Sequence, residues 1–178
     1  MLLVCAGLAT GGGSTVCVRA STPAPDMEHE VKAAFLLNFA RFVEWPSSAA
    51  GASDVCTLGE DPFGPILEKT IQGKVAAGRA LGVRRLAPGA PVGGCAIVFV
   101  GEADPTQRAR AIRELGDQPV LSVAETAGFA QEGGIIGFVL EENRVRFEVN
   151  LPAAERAGLR VSSRLLDLAR VVGSNGSR

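Results

Sequence analysis

The sequence predicts an α/β fold: a mixed, largely parallel sheet flanked by helices, with a C-terminal β-hairpin and helices after it. Three observations predict it. Between residues 55 and 123, short apolar runs alternate with helical stretches, the pattern of parallel strands joined by crossover helices. Ala96-Ile97-Val98-Phe99-Val100 is an unbroken apolar run, as expected of a strand covered on both faces. Arg144-Val145-Arg146-Phe147-Glu148-Val149 alternates strictly, as expected of an antiparallel strand with one wet face.

Each element has its own signal. Asp26–Glu44 reads as a first helix, with Val31, Ala34, Phe35, Asn38, Phe39 and Phe42 on one apolar face. Trp45-Pro46 ends it, because the residue before proline avoids the helical region. Phe35, Phe39 and Phe42 are expected in the core. Val55–Leu58 is a strand, and a helix follows at 62–70 with Asp61 as cap and Pro62 in its first turn. Leu81–Leu86 is a second strand and Ala96–Val100 a third. Asp104-Pro105 opens a helix to Leu115, and Val120–Val123 is a further strand. Gly128–Gln131 suits a short helix. Ile135–Leu140 and Arg144–Asn150 flank Glu141-Glu142-Asn143 as a hairpin. Leu151–Ala157 is helical with Gly158 as its cap, and a last helix opens at Ser162 or Ser163 and carries Leu165, Leu166, Leu168, Ala169 and Val172.

Residues 1–25 differ from the rest. Leu2–Ala9 is a short apolar run, too short to span a bilayer but suited to a secretory leader, and Val18-Arg19-Ala20 suits a cleavage site. No basic residue precedes the run, so the leader is atypical or begins upstream. Residues 26–173 form one domain and 174–178 a frayed tail. The net charge of −1 gives no field to draw the chain onto nucleic acid.

Export sorts the cysteines. Cys5 and Cys17 leave with the leader, and Cys56 and Cys95 remain, each opening a strand-like run. A structural disulfide between them is the expectation for an oxidising compartment. Two free buried thiols or a redox pair are the alternatives. A redox pair usually sits close in sequence. With His29 as the single histidine and no cysteine cluster, no metal or cofactor is expected.

Little else carries chemistry. His29 lies on the polar side of the first helix without a nucleophile partner and reads as solvated. Gly59–Gly64, after a strand and before a helix, sits where open α/β sheets hold ligands. Arg79, Arg84 and Arg85 could receive a carboxylate or phosphate. No catalytic constellation is present.

Four stretches together resemble the YfiR family: Glu30–Pro46, Cys56–Gly64, Gly128–Phe138, and Arg144–Leu151 with Ala157–Leu166. The resemblance covers residues 28–171. It implies a periplasmic, non-enzymatic, dimeric protein that represses an inner-membrane diguanylate cyclase by binding its periplasmic domain, lowering cyclic di-GMP and biofilm formation. It also implies redox sensitivity, with disulfides holding the repressing form. Cys56 and Cys95 fall where the family has one bridge. A second, short-range family bridge would lie near 130–137, where this chain has Ala130 and Gly137. Arg84, Arg85 and the outward face of the hairpin (Arg144, Arg146, Glu148) are the expected partner or ligand contacts. A periplasmic small-molecule binding module, with its ligand near Gly59–Gly64 and Arg84, is the alternative reading.

Overall fold

The computed structural model describes residues 25–116 and 118–173. The expected leader, with Cys5, Cys17 and Val18-Arg19-Ala20, and the tail 174–178 lie outside them. Helix α1 (Pro25–Phe42) leads into β1 (Val43–Glu44), a 3-10 turn at Ser47–Ala49, β2 (Asp54–Gly59) and α2 (Pro65–Ile71). A ribbon of β3 (Val75–Ala76) and β4 (Arg79–Ala80) precedes β5 (Val83–Leu86), β6 (Cys95–Gly101), α3 (Pro105–Leu115) and β7 (Leu121–Ala124). Then come β8 (Ile136–Glu141), β9 (Arg144–Asn150), α4 (Leu151–Arg156), β10 (Arg160–Val161), α5 (Ser163–Leu166) and β11 (Arg170–Val172).

The main sheet has seven strands in the order β11-β9-β8-β7-β6-β2-β5. Its neighbours are parallel except β8 and β9. Because β2 lies between β5 and β6, the chain steps outward from β2 to β5 through α2, returns past β2 to β6 by a loop, and continues in the opposite direction from β6 to β7 through α3. Right-handed crossovers therefore place α2 and α3 on opposite faces. One face packs Leu36, Phe39, Leu67, Phe99, Phe138 and Phe147 beneath α1 and α2. The other packs Ala111, Ile112 and Leu115 of α3 over Cys56, Leu58 and Val98. The hairpin turns on Glu142 and Asn143, both at positive φ (48° and 62°), the primed turn that matches strand twist.

Several expectations need correction. The first helix ends at Phe42, and Val43-Glu44 pairs instead with Val161-Arg160. Its buried stripe is Ala33, Leu36, Leu37, Phe39, Ala40, while Val31 is exposed. The helix is apolar almost all round over 33–40, so periodicity alone fits either stripe. Helix α2 starts at Pro65 rather than Pro62. Asp61 does not cap it; its Oδ1 accepts from the Phe63 backbone N–H, closing a turn that buries Phe63. Residues 128–131 form turns, not a helix. The final helix stops at Leu166, and the chain returns as edge strand β11 beside β9.

Glu148 is the most consequential correction. Its side chain does share a face with Arg144 and Arg146, but that face is wet only near the turn. The loop 126–134 covers the rest. Glu148 is 2% exposed. Gln131 Nε2 donates to its Oε2 at 2.7 Å, and Arg170 from β11 donates to the other oxygen.

The α1 side of β2 also buries a hydroxyl without a partner, Thr57 Oγ1. Removing an unsatisfied buried polar atom at constant shape recovers its desolvation cost. Thr57→Val is expected to stabilise the domain by about 1 kcal/mol in denaturant titration.

Candidate functional site

Cys56 and Cys95 are joined, with Cα atoms 5.9 Å apart. A shift in strand register makes this contact. Asp54 pairs with Cys95, but Val55 pairs with Ile97. Ala96 and Ile97 both pack on the α1 side, which turns Cys95 onto the opposite face, where Cys56 lies. Both cysteines are buried. Arg84 stands beside Cys56 on β5; its guanidinium donates to the Gly93 carbonyl at 2.7 Å and pairs with Asp54 at 3.5 Å.

Arg85 turns to the other face. It donates to Asp61 at 2.7 Å, to Glu68 and to the Gly64 carbonyl. The hydrogen bond from Arg85 holds the Glu68 carboxyl below its usual range. Arg79 donates to the Ala52 carbonyl. The three arginines thus diverge, each with internal partners. At the strand ends the backbones of β2 and β6 and their following loops approach closely. A β-carbon on Gly101 would stand 1.8 Å from the Glu60 carbonyl, and one on Gly59 would stand 2.4 Å from Glu102 Oε1.

Sequence reasoning missed a cleft of about 380 Å³ between the start of α1 and the hairpin. Lys32 is buried in its wall and donates to Glu28 and Glu125. Burial opposes the charge, but the bonds to Glu125 and Glu28 outweigh it and raise the ammonium above its ordinary pKa. The Glu28–Lys32 spacing was readable as a helical pair; Glu125, 93 residues away, was not. His29 also lines this cleft, half-buried with its ring centroid 6.2 Å from that of Phe63. Exposed Leu140 completes the rim.

Ala130 and Gly137, where the family resemblance implies a second bridge, are adjacent in space. A β-carbon on Gly137 would stand 3.7 Å from that of Ala130, within the usual disulfide span. The double variant Ala130→Cys/Gly137→Cys is therefore expected to oxidise spontaneously and to gain about 2 kcal/mol, seen by mass and by melting temperature with and without reductant.

Arg108, buried under the same loop, donates to both oxygens of Glu132 at 2.9 and 3.2 Å. That bond lowers the Glu132 pKa. A carboxylate depressed in the folded state contributes stability that is present above its unfolded pKa of about 4.3 and is lost as pH falls through the folded value. Glu132 itself is exposed to solvent, which screens the pair, so the effect is small. The melting temperature of Glu132→Gln should lie below that of the wild type at pH 7, and the two should converge in acid.

No helix among the described residues is long and apolar enough to cross a membrane. No group of His, Cys, Asp and Glu among them could hold a metal ion.

Comparison with solved structures gives a fold likeness to an ABC domain in complex with L-Trp from Streptococcus pneumonia. The TM-score is 0.55 at 10% identity, over 79% of this chain and 60% of that one, so the chain spans under two thirds of that structure. No curated protein matches the chain. A family model described as YfiR/HmsC-like (DUF4154) matches residues 29–170, from the first turns of α1 to the start of β11. The chain belongs to the YfiR/HmsC-like family.

Proposed function

We propose that this chain is a periplasmic, non-catalytic regulator that represses an inner-membrane diguanylate cyclase by binding its periplasmic domain, so lowering cyclic di-GMP and biofilm formation. The observation that carries the reading is the family match over nearly all of the described domain. The protein acts as a homodimer, and Arg144 and Arg146, exposed on the outward face of the hairpin, contact the partner. Arg84, Arg85 and Glu148 serve the fold, since each is engaged internally. Repression can be no larger than the difference in affinity for the two states of the cyclase. The oxidised fold binds; loss of the Cys56–Cys95 bond loosens it and releases the partner.

Affinity capture of the tagged, exported protein from detergent-solubilised membranes tests this. A membrane diguanylate cyclase should co-purify, and should be lost when Arg144 and Arg146 are both replaced by Glu. Capture of no cyclase by the oxidised protein would count against the reading.

A further inference from the structure

Strands β2 and β6 lie side by side and parallel, and the chain leaves them through α2 and α3 on opposite faces of the sheet. Open α/β sheets hold ligands outside the carboxyl ends of the strands at such a point of divergence. On the α3 side a groove starts there and runs between α3 and residues 88–93, the segment that follows β5. It is formed by two clefts of about 80 and 400 Å³ that share Leu58, Gly89, Ala111 and Glu114. Leu58, Ala111 and Leu115 are buried and give it an apolar floor. The wall facing α3 is Pro88-Gly89-Ala90-Pro91, with no side chain larger than a proline ring. Its two prolines carry no N–H, which biases the wall towards carbonyl acceptors.

The charges are few. Arg110 donates to Glu114 at 2.7 Å, a neutral pair at the rim. Glu102, the first residue after β6, lines the smaller cleft and enters no ion pair among the described residues. Its Oε1 is buried against the bare Cα of Gly59 and accepts no hydrogen bond. A carboxylate oxygen buried without a donor is costly, and an incoming donor would relieve it. The groove thus combines an apolar floor, one uncompensated negative charge and an excess of acceptors. That combination selects a cation that brings N–H donors and a carbon chain, and it disfavours an anion.

We propose that this groove binds a small aliphatic primary amine, with the ammonium at the Glu102 carboxylate and the carbon chain laid along Leu58, Ala111 and Leu115. The ammonium supplies a charge-assisted hydrogen bond to a carboxylate that has none. The chain covers apolar floor that the short side chains of residues 88–91 leave open. The site lies on the sheet face opposite α1, and its assignment stands apart from the identity of the regulated partner.

The test titrates hexylamine, hexanol and hexanoate into the oxidised, isotope-labelled protein at neutral pH and follows the backbone amide resonances. Hexylamine should saturate with a Kd of about 1 mM or tighter and shift the amides of residues 89–93, Glu102 and α3. Hexanol and hexanoate, which share the chain but not the ammonium, should bind about tenfold more weakly or worse. Affinity should rise about two- to fourfold per methylene from butylamine to hexylamine. Glu102→Gln should weaken hexylamine about tenfold, and Ala90→Phe, which places a ring in the groove, should abolish binding while leaving the remaining amide spectrum folded. Hexanol or hexanoate binding as tightly as hexylamine, or unchanged affinity in Glu102→Gln, overturns the assignment of an amine. Shifts confined to other parts of the domain, no saturable shift, or binding that survives in folded Ala90→Phe overturns the site. Cyclase capture enters none of these readouts, so their failure is distinct from failure of the repressor reading.

Discussion

Reduction of the Cys56–Cys95 bond, or its removal in C56A/C95A, lowers domain stability by about 4 kcal/mol. The two residues are 39 apart in sequence, so the bond closes a long loop that contains α2, the β3–β4 ribbon and β5. Opening it restores that loop's freedom to the unfolded chain. For a domain of this size the melting temperature should fall by roughly 8–16 °C. Thermal unfolding with and without reductant measures the first case, and the double variant the second. A fall below about 3 °C in both would show that the bridge contributes little to the fold. β5 is also an edge strand with one pairing partner, β2. Hydrogen exchange in β5 and α2 should therefore accelerate on reduction before that in β7 or β8 does.

Phe39→Ala is expected to cost about 3–5 kcal/mol. Phe39 is fully buried at the centre of the α1 face. Its ring lies 5.2 Å from that of Phe147 and 5.8 Å from that of Phe138, and it stacks on Phe35 at 6.0 Å. Truncation leaves a cavity between the helix and both arms of the hairpin, which cannot collapse because the two arms are hydrogen-bonded to each other. Chemical denaturation of the single variant measures the loss. Phe42→Ala, whose ring is only partly buried against the same cluster, should cost markedly less.

Elements with short-range signals were legible in the sequence. Asp104 caps α3 as expected, accepting from the backbone N–H groups of Thr106 and Gln107. Asn150 caps α4 and Gly158 ends it at positive φ. β6, β9 and the hairpin turn were set by apolar runs, alternation and turn chemistry. Features made by distant residues were not legible. Arg170–Val172 carries no strand signal of its own and becomes a strand because Glu148 and the free edge of β9 await it. Glu148 looked solvated because nothing local reveals that residues 126–134 fold over it. The disulfide partners could be read from export and parity, but not the register shift at Asp54/Val55 that brings them onto one face.

The central claim is repression of a membrane diguanylate cyclase, and cellular cyclic di-GMP is its most direct readout. Deleting the gene should raise cyclic di-GMP, and the exported protein supplied in trans should restore it. An unchanged level, with the protein demonstrably present in the periplasm of the parent strain, would contradict the account.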